Sequence, residues 1–226
     1  GIDTVQTARA ALPLAGGVEN LIYTGNAAFT GTGNALANVI AGNGGADTLN
    51  GLDGADTLNG NGGADTLNGG LGNDTIAGGA GNDIISAGGD DDTIVWNAAL
   101  LTNDGRDIVD GGTEGATGDT FIINGNILAE VFRVFAKADA VAAGIYAAAG
   151  TAEIIVTRNT NGVGGAVTAA NIIAELTEIE EIRINTGLGN DTVIPIGNFN
   201  PTSLNFNTIT IAGSASDDTI DISSLG

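Results

Sequence analysis

The 226 residues contain no cysteine and no histidine. The first absence removes disulfide staples and thiolate metal ligands, and the second removes the usual general base and zinc ligand. Together they exclude Ser-His-Asp and Cys-His catalysis. Basic residues are scarce: 6 Lys and Arg stand against 27 Asp and Glu, for a formal net charge of -21. Such a surface repels phosphate backbones and anionic headgroups, so neither nucleic acid nor a membrane surface is expected as partner. A multivalent cation is the natural counter-charge. No apolar run approaches the roughly 18 residues of a spanning helix, so no membrane insertion is expected. Six Phe, two Tyr and one Trp are too few to line a sugar subsite, and the glycine-rich turns lead into Ala-Asp or Asn-Asp rather than Gly-Lys-Ser/Thr. The expectation is a protein that is not an enzyme, with a polysaccharide-modifying activity the least favoured reading. The opening "GIDTVQTARAALPLAGG" has no charged segment followed by an apolar one. Beginning in a strand-like phrase and ending on "DISSLG", the chain reads as an excerpt of something longer.

What is abundant is glycine, 38 residues, much of it in a tandem phrase: residues 42 to 77 read "GNGGADTLNGLDGADTLNGNGGADTLNGGLGNDTIA". Units of nine start at Gly33, Gly42, Gly51, Gly60, Gly69, Gly78 and Ala87. The sixth position reads Asn38, Asp47, Asp56, Asp65, Asp74, Asp83 and Asp92; the eighth reads Ile40, Leu49, Leu58, Leu67, Ile76, Ile85 and Ile94. Nine residues are too few for a helical hairpin, and glycine disfavours helix by about 1 kcal/mol each relative to Ala. Six residues of turn and three of strand per unit predict a half-coil with one inward side chain. One such residue cannot form a core alone, so copies must stack. Two half-coils return the chain to its starting side. The prediction is two parallel sheets around one aliphatic row, with Asp47, Asp65 and Asp83 stacked on one edge and Asn38, Asp56, Asp74 and Asp92 on the other.

Parallel strands lie about 4.8 Å apart, so stacked carboxylates crowd one another and their pKa values rise unless a cation neutralises them. Carboxylates with carbonyls bared by glycine turns form an all-oxygen cage, which suits Ca²⁺ better than the strictly octahedral Mg²⁺. The glycines supply positive φ angles and bring carbonyls to the ion.

The units "GGLGNDTIA" and "GGAGNDIIS" match G-G-x-G-x-D-x-U-x throughout, and the chain resembles the RTX (repeat-in-toxin) family of nonapeptide β-roll proteins. That resemblance implies ions held between a turn and the turn two units on. Each ion takes carbonyls of positions two and four with the Asp of the first turn, and carbonyls of positions one and three with the Asp of the second. Four Ca²⁺ sites follow on transfer to this sequence. One joins Asn43, Gly45 and Asp47 to Gly60, Gly62 and Asp65, and the next joins Asn61, Gly63 and Asp65 to Gly78, Ala80 and Asp83. On the other edge Leu52, Gly54 and Asp56 meet Gly69, Leu71 and Asp74, and Gly70, Gly72 and Asp74 meet Ala87, Gly89 and Asp92. A fifth position pairing Asn38 with Asp56 lacks one carboxylate and is expected to be weaker. Leu52 stands where the pattern has glycine, which predicts a strained or differently shaped turn.

Residues 1 to 32 read as degenerate leading coils, residues 33 to 95 as the roll, and residues 96 to 226 as a β-rich region, either more solenoid or a separate β-sandwich. The expected class is all-β, a parallel β-roll followed by longer irregular strands. "GRDIVDGG" and "GDTFIING" echo the strand-and-turn phrase at Asp107 and Asp119, and "TGLGNDTVI" and "GSASDDTID" bring back the grammar at Asp191 and Asp218, two weaker metal candidates. "KADAVAAGIYAAAG" reads as a short helix or loop. Glu178, Glu180 and Glu181 read as a solvated strand face, with a metal cluster as the alternative. Thr48, Thr66, Asn50 and Asn68 line one outer face, and Thr57, Thr75, Thr93 and Asn59 the other. These rows stabilise sheets and also offer a surface for self-association, ice, or polysaccharide at a cell surface. By resemblance the chain is expected to be extracellular, exported by type I secretion, disordered without Ca²⁺ and folded with it.

Overall fold

A computed structural model describes residues 1–98, 105–113, 115–160, 165–199, 208–213 and 218–220. Of the phrase "GSASDDTID", residues 214–217 lie outside the described residues. Glycine-rich turns alternate with short Thr- and aliphatic-rich strands, and the strands assort by parity. Among the described residues, odd coils form a nine-stranded parallel sheet in the order Thr4–Thr7, Asn20–Tyr23, Val39–Ala41, Thr57–Gly62, Thr75–Ala80, Thr93–Asn97, Thr120–Asn124, Glu181–Asn185, Thr208–Ala212. The second sheet has eleven strands: Ala11–Pro13, Thr30–Thr32, Thr48–Asp53, Thr66–Leu71, Ile84–Gly89, Asp107–Thr113, Ile172–Thr177, Ile154–Asn159, Val131–Ala136, Thr192–Ile196, Thr219–Ile220. Both sheets therefore run on past the nonapeptide array.

The core is the pair of eighth-position rows. Leu21, Ile40, Leu58, Ile76, Ile94, Phe121 and Ile182 stack in register along the first sheet. Leu49, Leu67, Ile85, Val109 and Leu176 do so along the second. All are buried in one continuous cluster. Each stacked Leu or Ile removed from water contributes about 1.5–3 kcal/mol, which no single coil achieves with one such residue.

The array's strands are six residues long rather than the three expected, as in Thr48–Asp53 and Thr66–Leu71. After position nine the backbone stays extended through positions one to three, and the position-one glycines Gly51, Gly60, Gly69 and Gly78 are buried beside the aliphatic row.

Beyond the array, Ile154–Asn159 runs antiparallel to both neighbours. Val131–Ala136 is buried along its whole length, because its second face packs under the helix Lys137–Ala142 and a satellite core of Phe135, Ala140, Ile145, Ala152, Ile155 and Ile172. Such two-sided burial explains a continuous apolar run instead of alternation. Among the described residues no helix is long and apolar enough to cross a membrane.

Candidate metal centre

Every position-six side chain of the array is buried, with Asn38, Asp47, Asp56, Asp65, Asp74, Asp83 and Asp92 each 1–2% exposed. One carboxylate oxygen is used structurally. The Asp47 N–H donates to Asp65 Oδ1 at 2.7 Å, Asp65 N–H to Asp83 Oδ1 at 2.8 Å, Asp56 N–H to Asp74 Oδ1 at 2.7 Å, and Asp74 N–H to Asp92 Oδ1 at 2.7 Å. Asn38 N–H donates to Asp56 Oδ1. Each carboxylate thus clamps the coil before it, and the two columns contain the residues that the 18-residue period stacks.

The second oxygen has another environment. Oδ2 of Asp56, Asp65, Asp74 and Asp92 is buried without a hydrogen-bond partner. A Cβ placed on Gly51, Gly60 or Gly69 would lie 2.2–2.3 Å from the Oδ2 of Asp56, Asp65 or Asp74 and 2.4–2.5 Å from the carbonyl oxygen of Gly69, Gly78 or Ala87 in the next coil. A carboxylate oxygen and a carbonyl oxygen therefore meet at one point with no proton donor between them. Buried acceptors are normally satisfied, and two acceptors facing each other are satisfied together only by a cation. These are the Asp–carbonyl pairs named by the resemblance. Position one must also be small for this reason, a requirement of space that the sequence reading did not include.

The other proposed carbonyls belong to turns of one shape. Position two has positive φ at Leu52 (86°), Asn61 (75°) and Gly70 (120°), and position four at Gly54 (124°), Gly63 (127°) and Gly72 (110°). Position-three carbonyls of Leu71, Ala80 and Gly89 accept the N–H of Gly54, Gly63 and Gly72 at 2.8, 2.8 and 3.1 Å; a carbonyl has a second lone pair for an ion. Leu52 adopts the left-handed conformation with its side chain 46% exposed, so the turn keeps its shape and takes the strain.

The Asn43 turn differs. Neither Asn43 nor Gly45 has positive φ, and Asp47 Oδ2 already accepts the Asn43 N–H at 2.9 Å. Gly62 instead donates its N–H to the Asn43 carbonyl at 2.8 Å. Asn38 resembles it, with its Oδ1 accepting the Asn34 N–H at 2.7 Å. Among the described residues no group of three or more acidic side chains gathers at one point, so each position rests on a carboxylate pair and backbone oxygens.

Outside the array, Asp191 Oδ1 accepts the Glu130 N–H at 2.7 Å, while Asp191 N–H donates to Asp218 Oδ1 at 3.2 Å. Asp191 Oδ2 is buried and unpartnered. Glu130 heads this second column and was missed in the sequence. Its unit "GNILAEVFR" keeps only the first glycine, though Gly-Asn with an acid four residues after the Asn was a usable signal. Arg158 pairs with Glu130 and lies 5.8 Å from the Trp96 ring centroid. The three glutamates read as a solvated strand face are separated: Glu180 is 3% exposed and accepts the Asp119 N–H at 2.7 Å, whereas Glu181 pairs with Arg183 at 2.7 Å. Only Glu181 lies within the strand; Glu180 precedes it at a buried position-six place.

Burial raises the pKa of Asp56 and pushes Asp65 and Asp74 up to about 6 and Asp92 up to about 7. Desolvation is the largest cause, with repulsion from stacked carboxylates smaller than the sequence argument supposed. The linkage sign follows: between about pH 4 and 7 the folded, metal-free array binds more protons than the unfolded chain, so its stability falls as pH rises through that window. In EDTA, β-sheet circular dichroism should therefore strengthen as pH drops from 7.5 to 5, while Ca²⁺ affinity weakens below about pH 6. An EDTA signal that does not change with pH would contradict the assignment of these buried acids.

The family model of the RTX calcium-binding nonapeptide repeat (4 copies) matches residues 32–67 and 59–94. No curated protein and no solved structure matches the chain. With the matched residues coinciding with the clamped Asp columns and their convergent carbonyls, the chain is an RTX-family repeat protein whose residues 32–94 carry the calcium-binding nonapeptide β-roll.

Proposed function

We propose that residues 33–95 are a calcium-controlled folding module of a secreted bacterial protein, flanked by leading coils over 1–32 and a further β region over 96–226. The observation that carries this reading is the set of buried, unpartnered Oδ2 atoms of Asp56, Asp65, Asp74 and Asp92. Three equivalent ion positions follow: Leu52, Gly54 and Asp56 with Gly69, Leu71 and Asp74; Asn61, Gly63 and Asp65 with Gly78, Ala80 and Asp83; Gly70, Gly72 and Asp74 with Ala87, Gly89 and Asp92. The fourth, using Asn43, Gly45 and Asp47 with Gly60, Gly62 and Asp65, is weaker because Asp47 is already engaged. The Asn38 position and the Asp191–Asp218 pair come after it.

In a cell interior poor in Ca²⁺ the buried carboxylates and the charge of -21 oppose folding, and outside the cell the ions offset them. Binding energy then becomes folding energy. The test is far-UV circular dichroism of the EDTA-stripped chain during a Ca²⁺ titration, with Mg²⁺ as control. A cooperative gain of β structure with Ca²⁺ alone is expected. Full β structure in EDTA at pH 7.5, unchanged by Ca²⁺, would refute the switch.

A further inference from the structure

The geometry points to a further divalent-cation site beyond the matched repeats, between the coil ending at Asp92 and the coil ending at Asp119. It rests on the proposal that the array itself binds Ca²⁺. In the array each Asp sends Oδ1 toward the preceding coil and Oδ2 toward the following one. Asp92 is the last Asp of the matched units, and its Oδ2 is buried, unpartnered and used by none of the ion positions above. The coil it faces is not a nonapeptide: Asp119 follows Asp92 by 27 residues instead of 18.

Three features nevertheless give this longer coil the form of an array turn. Asp92 N–H donates to Asp119 Oδ1 at 2.7 Å, the same clamp as in the array. Gly88 pairs with Gly112 and both have positive φ, which puts Gly111 opposite Ala87 in the position-one place. Asp90, at position four with φ 80°, donates its N–H to the Thr113 carbonyl at 3.0 Å, as Gly72 does to Gly89. The candidate ligands are therefore the carboxylates of Asp92 and Asp119 and the carbonyls of Gly88, Asp90, Gly111 and Thr113. All are oxygens, as Ca²⁺ prefers.

The additional residues of the longer coil are held clear of the site. The Asp91 side chain, outside the turn, accepts the N–H groups of Ala116, Thr117 and Gly118 at 3.2, 2.9 and 2.7 Å. That folds the insertion back and delivers Asp119 into register with Asp92. Asp119 is itself 0% exposed, and a Cβ on Gly111 would lie 2.3 Å from its Oδ2 and 1.8 Å from the Glu178 carbonyl. The convergence of carboxylate and next-coil carbonyl thus continues toward Glu180.

The experiment counts bound Ca²⁺ per full-length chain by isothermal titration, for wild type, Asp119→Asn and Asp65→Asn. Asn keeps the Oδ1 acceptor that clamps the previous coil. Asp119→Asn should lower the count by one or two, and Asp65→Asn should lower it through array sites alone. An unchanged count for Asp119→Asn with a reduced one for Asp65→Asn overturns this site and leaves the array reading intact. Absence of Ca²⁺ binding by the wild type overturns the array reading itself. Crystals of the wild type grown in Ca²⁺ give a check free of folding effects. Anomalous difference density between Asp92 and Asp119 is expected, and array peaks without one there would reject the proposal.

Discussion

Asp65→Asn should raise the Ca²⁺ concentration at the folding midpoint by at least about tenfold, equivalent to about 1.4 kcal/mol. Asp65 is shared by two ion positions, one toward Asp47 and one toward Asp83, so a single substitution weakens both. Asn still accepts the Asp47 N–H through Oδ1. At the second atom it places an NH₂ where an unpartnered oxygen faced the Gly78 carbonyl. In EDTA the same variant should be no less stable than wild type, because a buried carboxylate with a pKa raised to about 6 has been neutralised. Opposite effects with and without Ca²⁺ separate a ligand from a merely structural residue. Asp53→Asn is the control: its side chain is exposed and belongs to no ion position, so its midpoint should stay within about twofold of wild type. If Asp65→Asn behaved like Asp53→Asn in a Ca²⁺ titration followed by circular dichroism, Asp65 would not be a ligand.

The second large effect is expected at the backbone. Gly81 has φ 136°, and a Cβ there would lie 1.6 Å from the Gly63 carbonyl oxygen, one of the proposed ligands of the Asp65–Asp83 position. Gly81→Ala should cost on the order of 3 kcal/mol from the disallowed conformation alone, and displacing the Gly63 oxygen should weaken Ca²⁺ as well. The reverse change at Leu52, φ 86° with an exposed side chain, relieves strain. Leu52→Gly should stabilise the Ca²⁺-loaded roll by about 0.5–1 kcal/mol, the left-handed penalty less the entropy of glycine. Urea unfolding at saturating Ca²⁺ measures both; a stable Gly81→Ala or a destabilised Leu52→Gly would show that these turns do not need the conformation described.

The amino-acid sequence by itself determined the period, the parity of the coils, the inward aliphatic row and the pairing of Asp residues 18 apart. Each of these depends only on spacing: strands have a period of two, units of nine alternate sides, and a single apolar residue per unit must stack to be buried. Tertiary structure alone decided what spacing does not encode. Strands of six rather than three residues arise because the position-one glycine packs inward beside the Asp oxygen. The Asn43 turn departs from its neighbours because a local N–H reaches Asp47 first. Asp119, Glu180 and Glu130 take up position-six places at separations of 27 and 61 residues along the chain. At those places the hydrogen-bond clamp between neighbouring coils, not a repeat length, sets the register, and a contact across a long insertion leaves no periodic trace in sequence.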